Sequence, residues 1–190
     1  DTHVYPFPNF DQMQDSLHYL INEKVIGYLA DCTNGGTALA PVKRWVYSHL
    51  LWDPGMDMEA LIREFVPAYY GKAAPEITEY IRLLRNAWKN FKVKHDKENG
   101  IGVMLEYTAA EKQSMRKLLD SAWKKAENDD VLKGRIAREY LPFLALVMSG
   151  NPKLNGVEQY EKDYNFFCEM LAYTRLDSLH VKEKKNYEKN

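Results

Sequence analysis

The chain has 190 residues, with 26 basic and 27 acidic side chains, a net charge of -1, and 45% hydrophobic and 13% aromatic residues. That balance is enough for a real core and excludes the strongly basic footprint of a nucleic-acid or anionic-membrane binder. No apolar run reaches the roughly 18 residues that a membrane-spanning helix needs.

The first nine residues carry two prolines and no periodicity, and read as a loop. Asp1, in place of an initiator methionine, is expected to be a processing or proteolysis boundary, so the lack of a leader says nothing about export. Asn9 or Asp11 is placed to cap a first helix, with Met13, Leu17, Leu20 and Ile21 on its apolar face. Val25 to Ala30 is apolar on both faces, which suits a strand buried in a parallel sheet. Helix, tight link and buried strand together are half of a βαβ unit. Gly35 and Gly36 allow a sharp turn, and Pro41 fits the first turn of the next helix. That helix has the stripe Val42, Trp45, Val46, His49 and Leu50, on which His49 reads as a packed histidine. Asp53-Pro54-Gly55 stops it.

Asp57 is expected to cap a third helix with Leu61, Ile62, Phe65 and Tyr69 inward, a kink at Pro67 and a left-handed cap at Gly71. Pro75 starts a long helix with Ile77, Tyr80, Ile81, Leu84, Trp88 and Phe91 inward. Arg82, Arg85, Lys89 and Lys92 lie on its other, solvated face. Residues 95–107 lack periodicity and read as a loop. Thr108 and Glu111 form a T-x-x-E capping box ahead of Met115, Leu118, Leu119, Ala122, Trp123 and Ala126. A further helix carries Ile136, Tyr140, Phe143, Leu144 and Val147 inward, with Pro142 inside it. A last helix holds Tyr160, Tyr164, Phe167, Cys168 and Leu171 on one side, and the tail after residue 181 should fray. Cys32 and Cys168 have no metal spacing and read as buried free thiols, with a bridge between them as the alternative.

The expected fold class is mainly α: the end of a (β/α)8-type barrel, as its last helix, strand and helix, over residues 1–55, then a helical domain over 56–190. No P-loop, G-x-G-x-x-G, H-E-x-x-H, C-x-x-C or G-x-S-x-G occurs, so no cofactor or metal is expected. One site signal remains. Asp31 lies just past the end of the predicted strand, followed by Cys32-Thr33-Asn34-Gly35-Gly36. In barrels, polar residues at strand C-termini line the active-site face. An aspartate there also caps its own turn, and the sequence leaves both readings open. Tyr5, just before the PFPN segment, and Asn9, at its end, either reach the same face or order their own loop. Asp31, Asn34, Tyr5 and Asn9 are the candidate substrate-binding residues; none is assigned a catalytic role.

The strings PFPNF, VIGYLADC, SHLLWDPGMD and LIREFVPAYYGKAAPEITEYI carry a resemblance. From about Tyr5 to Leu84 the chain resembles the C-terminal part of a bacterial, carbohydrate-linked family termed a domain of unknown function. Its members are similar to α-glucuronidase and hexosaminidase-type glycoside hydrolases. The resemblance implies that Val25–Ala30 is the last barrel strand and Pro41–Trp52 the last barrel helix. Where the family has Glu or Gln and then Gly at the strand's end, this chain has Asp31-Cys32. The resemblance also implies that any acid/base carboxylates lie upstream, in the same polypeptide, and that the protein is periplasmic or extracellular. The expected function is one wall of a sugar cleft plus a helical brace in a glycoside-hydrolase-like protein acting on polysaccharide or glycan fragments. The alternative is a non-catalytic helical module that binds carbohydrate or protein.

Overall fold

The computed structural model describes residues 6–28, 37–95, 106–149 and 156–174. Over these the chain is mainly helical, as expected. The elements are α1 (Phe10–Asn22), α2 (Ala40–Trp52), α3 (Met58–Tyr70), a 3-10 turn (Gly71–Ala73), α4 (Ala74–His95), α5 (Ala109–Lys125), α6 (Asp130–Met148) and α7 (Val157–Thr174).

Among the described residues there is no strand. The stretch predicted as a strand at Val25–Ala30 leaves α1 through a Schellman turn. Lys24 takes a positive φ of 57°, and the N–H groups of Lys24 and Val25 donate to Ile21 O and Leu20 O at 2.9 and 3.0 Å. Val25, Ile26 and Tyr28 then run exposed, with no strand beside them among the described residues. A parallel strand exists only through ladder bonds to neighbours on its edges, and the described residues supply none. Residues 29 and 30 lie outside the described residues.

Local signals set most of the helix ends. Asp57 Oδ1 accepts from Glu59 N at 2.8 Å and Ala60 N at 3.1 Å, starting α3. Gly71 has the expected positive φ of 49°, but with ψ at -125°. It therefore passes α3 straight into α4 through one 3-10 turn instead of closing it as a left-handed cap. The capping box forms: Thr108 Oγ1 accepts from Glu111 N at 3.2 Å, and Glu111 Oε2 accepts from Thr108 N at 2.8 Å. Thr108→Ala should therefore cost about 1 kcal/mol of stability. Urea denaturation reads this directly, and an unchanged midpoint would mean that water satisfies the first turn equally well.

A single apolar cluster runs through the whole of the described chain, from Phe10 and Leu17 through Val46, Leu84, Leu119 and Phe143 to Met170. Three predicted faces are corrected. On α1, Phe10 and Leu17 are buried but Ile21 is exposed. On α4, Arg85 leaves the solvated row: its side chain is only 14% exposed, bridging Asp11 and, at 2.6 Å, Glu59. That bond takes Asp11 away from any capping role. On α7, the inward positions are Asp163, Met170 and Thr174, with Phe166, Phe167, Leu171 and Tyr173 partly buried. Tyr164 and Cys168 face solvent, so Cys168 is a free but exposed thiol. Asp163 turns inward because Arg116 donates to it at 2.9 Å, which neutralises the cost of burying a carboxylate. Gly134 lets α6 lie close to α7: a Cβ there would meet Tyr173 O at 3.1 Å.

Candidate functional site

Of the four residues singled out as substrate-binding, Tyr5, Asp31 and Asn34 lie outside the described residues, as does Cys32. Asn9 occupies the N-cap position of α1, but its side chain makes no capping bond. Its Oδ1 is buried without a hydrogen-bond partner.

Two arrangements in the structure were not read from the sequence. The first is a groove of about 570 Å³ where α2, α3 and α6 meet. Positions 42, 46 and 50 of α2 turn to the core, which leaves Pro41, Arg44, Trp45, Ser48 and Leu51 on the groove side. Phe65 and Tyr69 come from α3, and Arg138 from α6. The rings form a row: His49 against Trp45 at 4.2 Å between centroids, Trp45 against Phe65 at 5.6 Å, and Phe65 stacked on Tyr69 at 5.0 Å. Arg135 closes the row, its guanidinium 4.3 Å from the Tyr69 ring. His49 Nδ1 lies 2.8 Å from Trp45 O, in keeping with its reading as a packed histidine.

The second arrangement lies directly beneath. Glu139, the neighbour of Arg138 on α6, is 1% exposed. Tyr70 Oη donates to its Oε1 at 2.6 Å and Leu39 N donates to its Oε2 at 2.6 Å. Leu39 is the N-cap of α2 and holds a left-handed φ of 60°. That conformation is costly for a non-glycine residue, and the buried bond from its N–H to Glu139 offsets the cost. Burial drives the Glu139 carboxyl up to about 7, against the Tyr70 and Leu39 bonds, which pull it down. Burial likewise pushes the Lys43 ammonium down to about 8, with Glu139 opposing. Lys43 donates to Phe7 O, so the node also holds the entry to α1. Tyr80, fully buried, has its hydroxyl pushed well above the usual range, first by burial and then by Glu139.

The node is structural: its carboxylate has both oxygens occupied and no access to solvent. It fixes α6 against α2 and α3, and so sets where Arg138 meets the groove. The signal available in the sequence was position. Glu139 lies three residues after Ile136 and four before Phe143, on the apolar stripe of α6.

Among the described residues no cluster of three or more His, Cys, Asp or Glu side chains is arranged to hold a metal, and no helix is long and apolar enough to cross a membrane. Residues 1–82 match a family model described as "Domain of unknown function (DUF4838)". No curated protein and no solved structure matches the chain.

Proposed function

We propose that this chain is the C-terminal portion of a glycoside-hydrolase-like protein acting on polysaccharide or glycan fragments. It supplies one wall of the sugar cleft and a helical brace, and the catalytic carboxylates lie upstream in the same polypeptide. The observation that carries the reading is the exposed apolar edge at Val25, Ile26 and Tyr28, the stretch that the resemblance makes the last barrel strand. Ile26 is fully exposed in a chain whose other helices share one well-filled core. Leu51 and Trp52, at the end of the helix that would follow that strand, are exposed as well. Apolar side chains left open in this way suit a surface covered by further structure. The match of residues 1–82 to a family of unknown function is compatible with this reading.

Hydrolysis needs two carboxyl groups held roughly 5–9.5 Å apart across the scissile bond. The test is release of reducing ends from a panel of polysaccharides, by this 190-residue chain and by the polypeptide extended through the upstream barrel. Turnover is expected from the extended protein and none from the chain alone. Turnover by the chain alone would overturn the upstream placement of the acid and base. Glycan binding by the extended protein without turnover would select the non-catalytic reading, and neither binding nor turnover would remove the carbohydrate reading altogether.

A further inference from the structure

We infer that the groove between α2, α3 and α6 is a binding site for a small ring-bearing carboxylate. It lies on the face of α2 turned away from the core and does not depend on the barrel reading given above. The described arginines fall into two groups. Five of those described are engaged within the chain: Arg63 with Asp57, Arg82 with Glu79, Arg85 with Asp11 and Glu59, Arg116 with Asp163, and Arg135 with Tyr69 O. Arg44 and Arg138 have no ion pair and no side-chain hydrogen bond among the described residues, and both line this groove. Arg138 feels Glu139 only through space, because both oxygens of that carboxylate are already taken by Tyr70 and Leu39.

Among the described residues no acidic side chain lines the groove, so neither guanidinium has a carboxylate bonded to its donors there. A guanidinium presents a planar fork of donors that matches a carboxylate. Beside that fork lies the partly buried ring row of Trp45, Phe65 and Tyr69. Such a row favours a flat apolar body, through stacking and through the area removed from water. The volume of about 570 Å³ falls within the roughly 300–1,000 Å³ of small-molecule sites. A neutral sugar would leave the arginines unused, and a bare inorganic anion would leave the rings unused. A carboxylate attached to a ring uses both.

The test is calorimetric titration of the chain with 2-naphthoate, 2-naphthol and inorganic phosphate. Naphthoate should bind about tenfold or more tightly than naphthol, with phosphate undetectable at matching concentrations. Arg44→Gln, at an exposed position where the fold is insensitive to substitution, should cost naphthoate about five- to tenfold and leave naphthol unchanged. Arg138→Gln should do the same, and Phe65→Ala should weaken both ring compounds. Equal affinity for naphthoate and naphthol would overturn the inference. So would naphthoate binding that both arginine variants leave intact, or no naphthoate binding at millimolar concentration.

Discussion

Replacing Glu139 should change how stability depends on pH, and the Gln and Ala variants should differ sharply. In the folded chain the Glu139 carboxyl titrates near 7, against 4.5 for the ordinary group. Between those values the folded state holds a proton that the unfolded chain has released. The group's contribution is therefore fully present below 4.5 and is lost as pH rises through 7. A shift of that size corresponds to roughly 3 kcal/mol. Urea denaturation from about pH 5 to pH 7 should show the native chain losing stability across the window, while Glu139→Gln, which cannot ionise, stays flat. Lys43, pushed down to about 8, acts in the opposite sense at higher pH. There the unfolded chain holds the extra proton, so stability recovers as pH rises from 8, and the two slopes separate on one profile. Glu139→Ala removes the acceptor of both Tyr70 and Leu39 and leaves a cavity. It should cost about 3–5 kcal/mol at about pH 5. Parallel profiles for the native chain and the Gln variant would mean that Glu139 stays ionised in the fold.

Ending the chain after α4, at residue 95, should abolish cooperative folding. The segment that matches the family of unknown function stops at residue 82, inside α4, but its buried surface does not stop there. Tyr107, Met115, Leu119, Ile136, Tyr140, Phe143 and Leu144 are buried in the same cluster as Val46, Val66 and Leu84. Truncation would also strip three buried polar groups of their partners: the Tyr70 hydroxyl, the Leu39 N–H, and Pro6 O, which accepts from Tyr107 Oη at 2.6 Å. Each unsatisfied group costs about 1–3 kcal/mol, and a domain has only about 5–15 kcal/mol in total. Residues 1–95 should thus give no sigmoidal urea transition and a collapsed proton spectrum. A sharp transition with native-like dispersion would show that the matched segment is a folding unit of its own.

The sequence made some of these features readable and hid others, for reasons that particular residues display. Asp57 and the Thr108–Glu111 box were legible because a cap is a local contract between residues three apart. The stripe on α5 was legible because its apolar spacing is unbroken. The face of α7 was misread because Asp163 sits on it, and the charged partner that offsets its burial, Arg116, is 47 positions away. Glu139 was passed over for the same reason: its two partners lie on other helices. The strand at Val25–Ala30 was inferred from composition, yet a strand is a property of pairs and the described residues contain no pair for it. The groove was invisible because Arg44, Phe65 and Arg138 are spread over three helices. The residues chosen at Tyr5, Asp31 and Asn34 came from motif position, and the described structure does not reach them.

The bond from Leu39 to Glu139 spans 100 positions, and the one from Tyr107 to Pro6 spans 101. A ribosome adds about 5–20 residues per second, so the start of α2 waits roughly 5–20 s for the carboxylate that satisfies it. Throughout that interval the Leu39 N–H, at the start of α2, lacks the carboxyl that accepts from it in the fold. Helix α2 is thus made well before α6 but finished only after it, and its exposure to chaperones and proteases is set by the time taken to synthesise the 100 positions between Leu39 and Glu139.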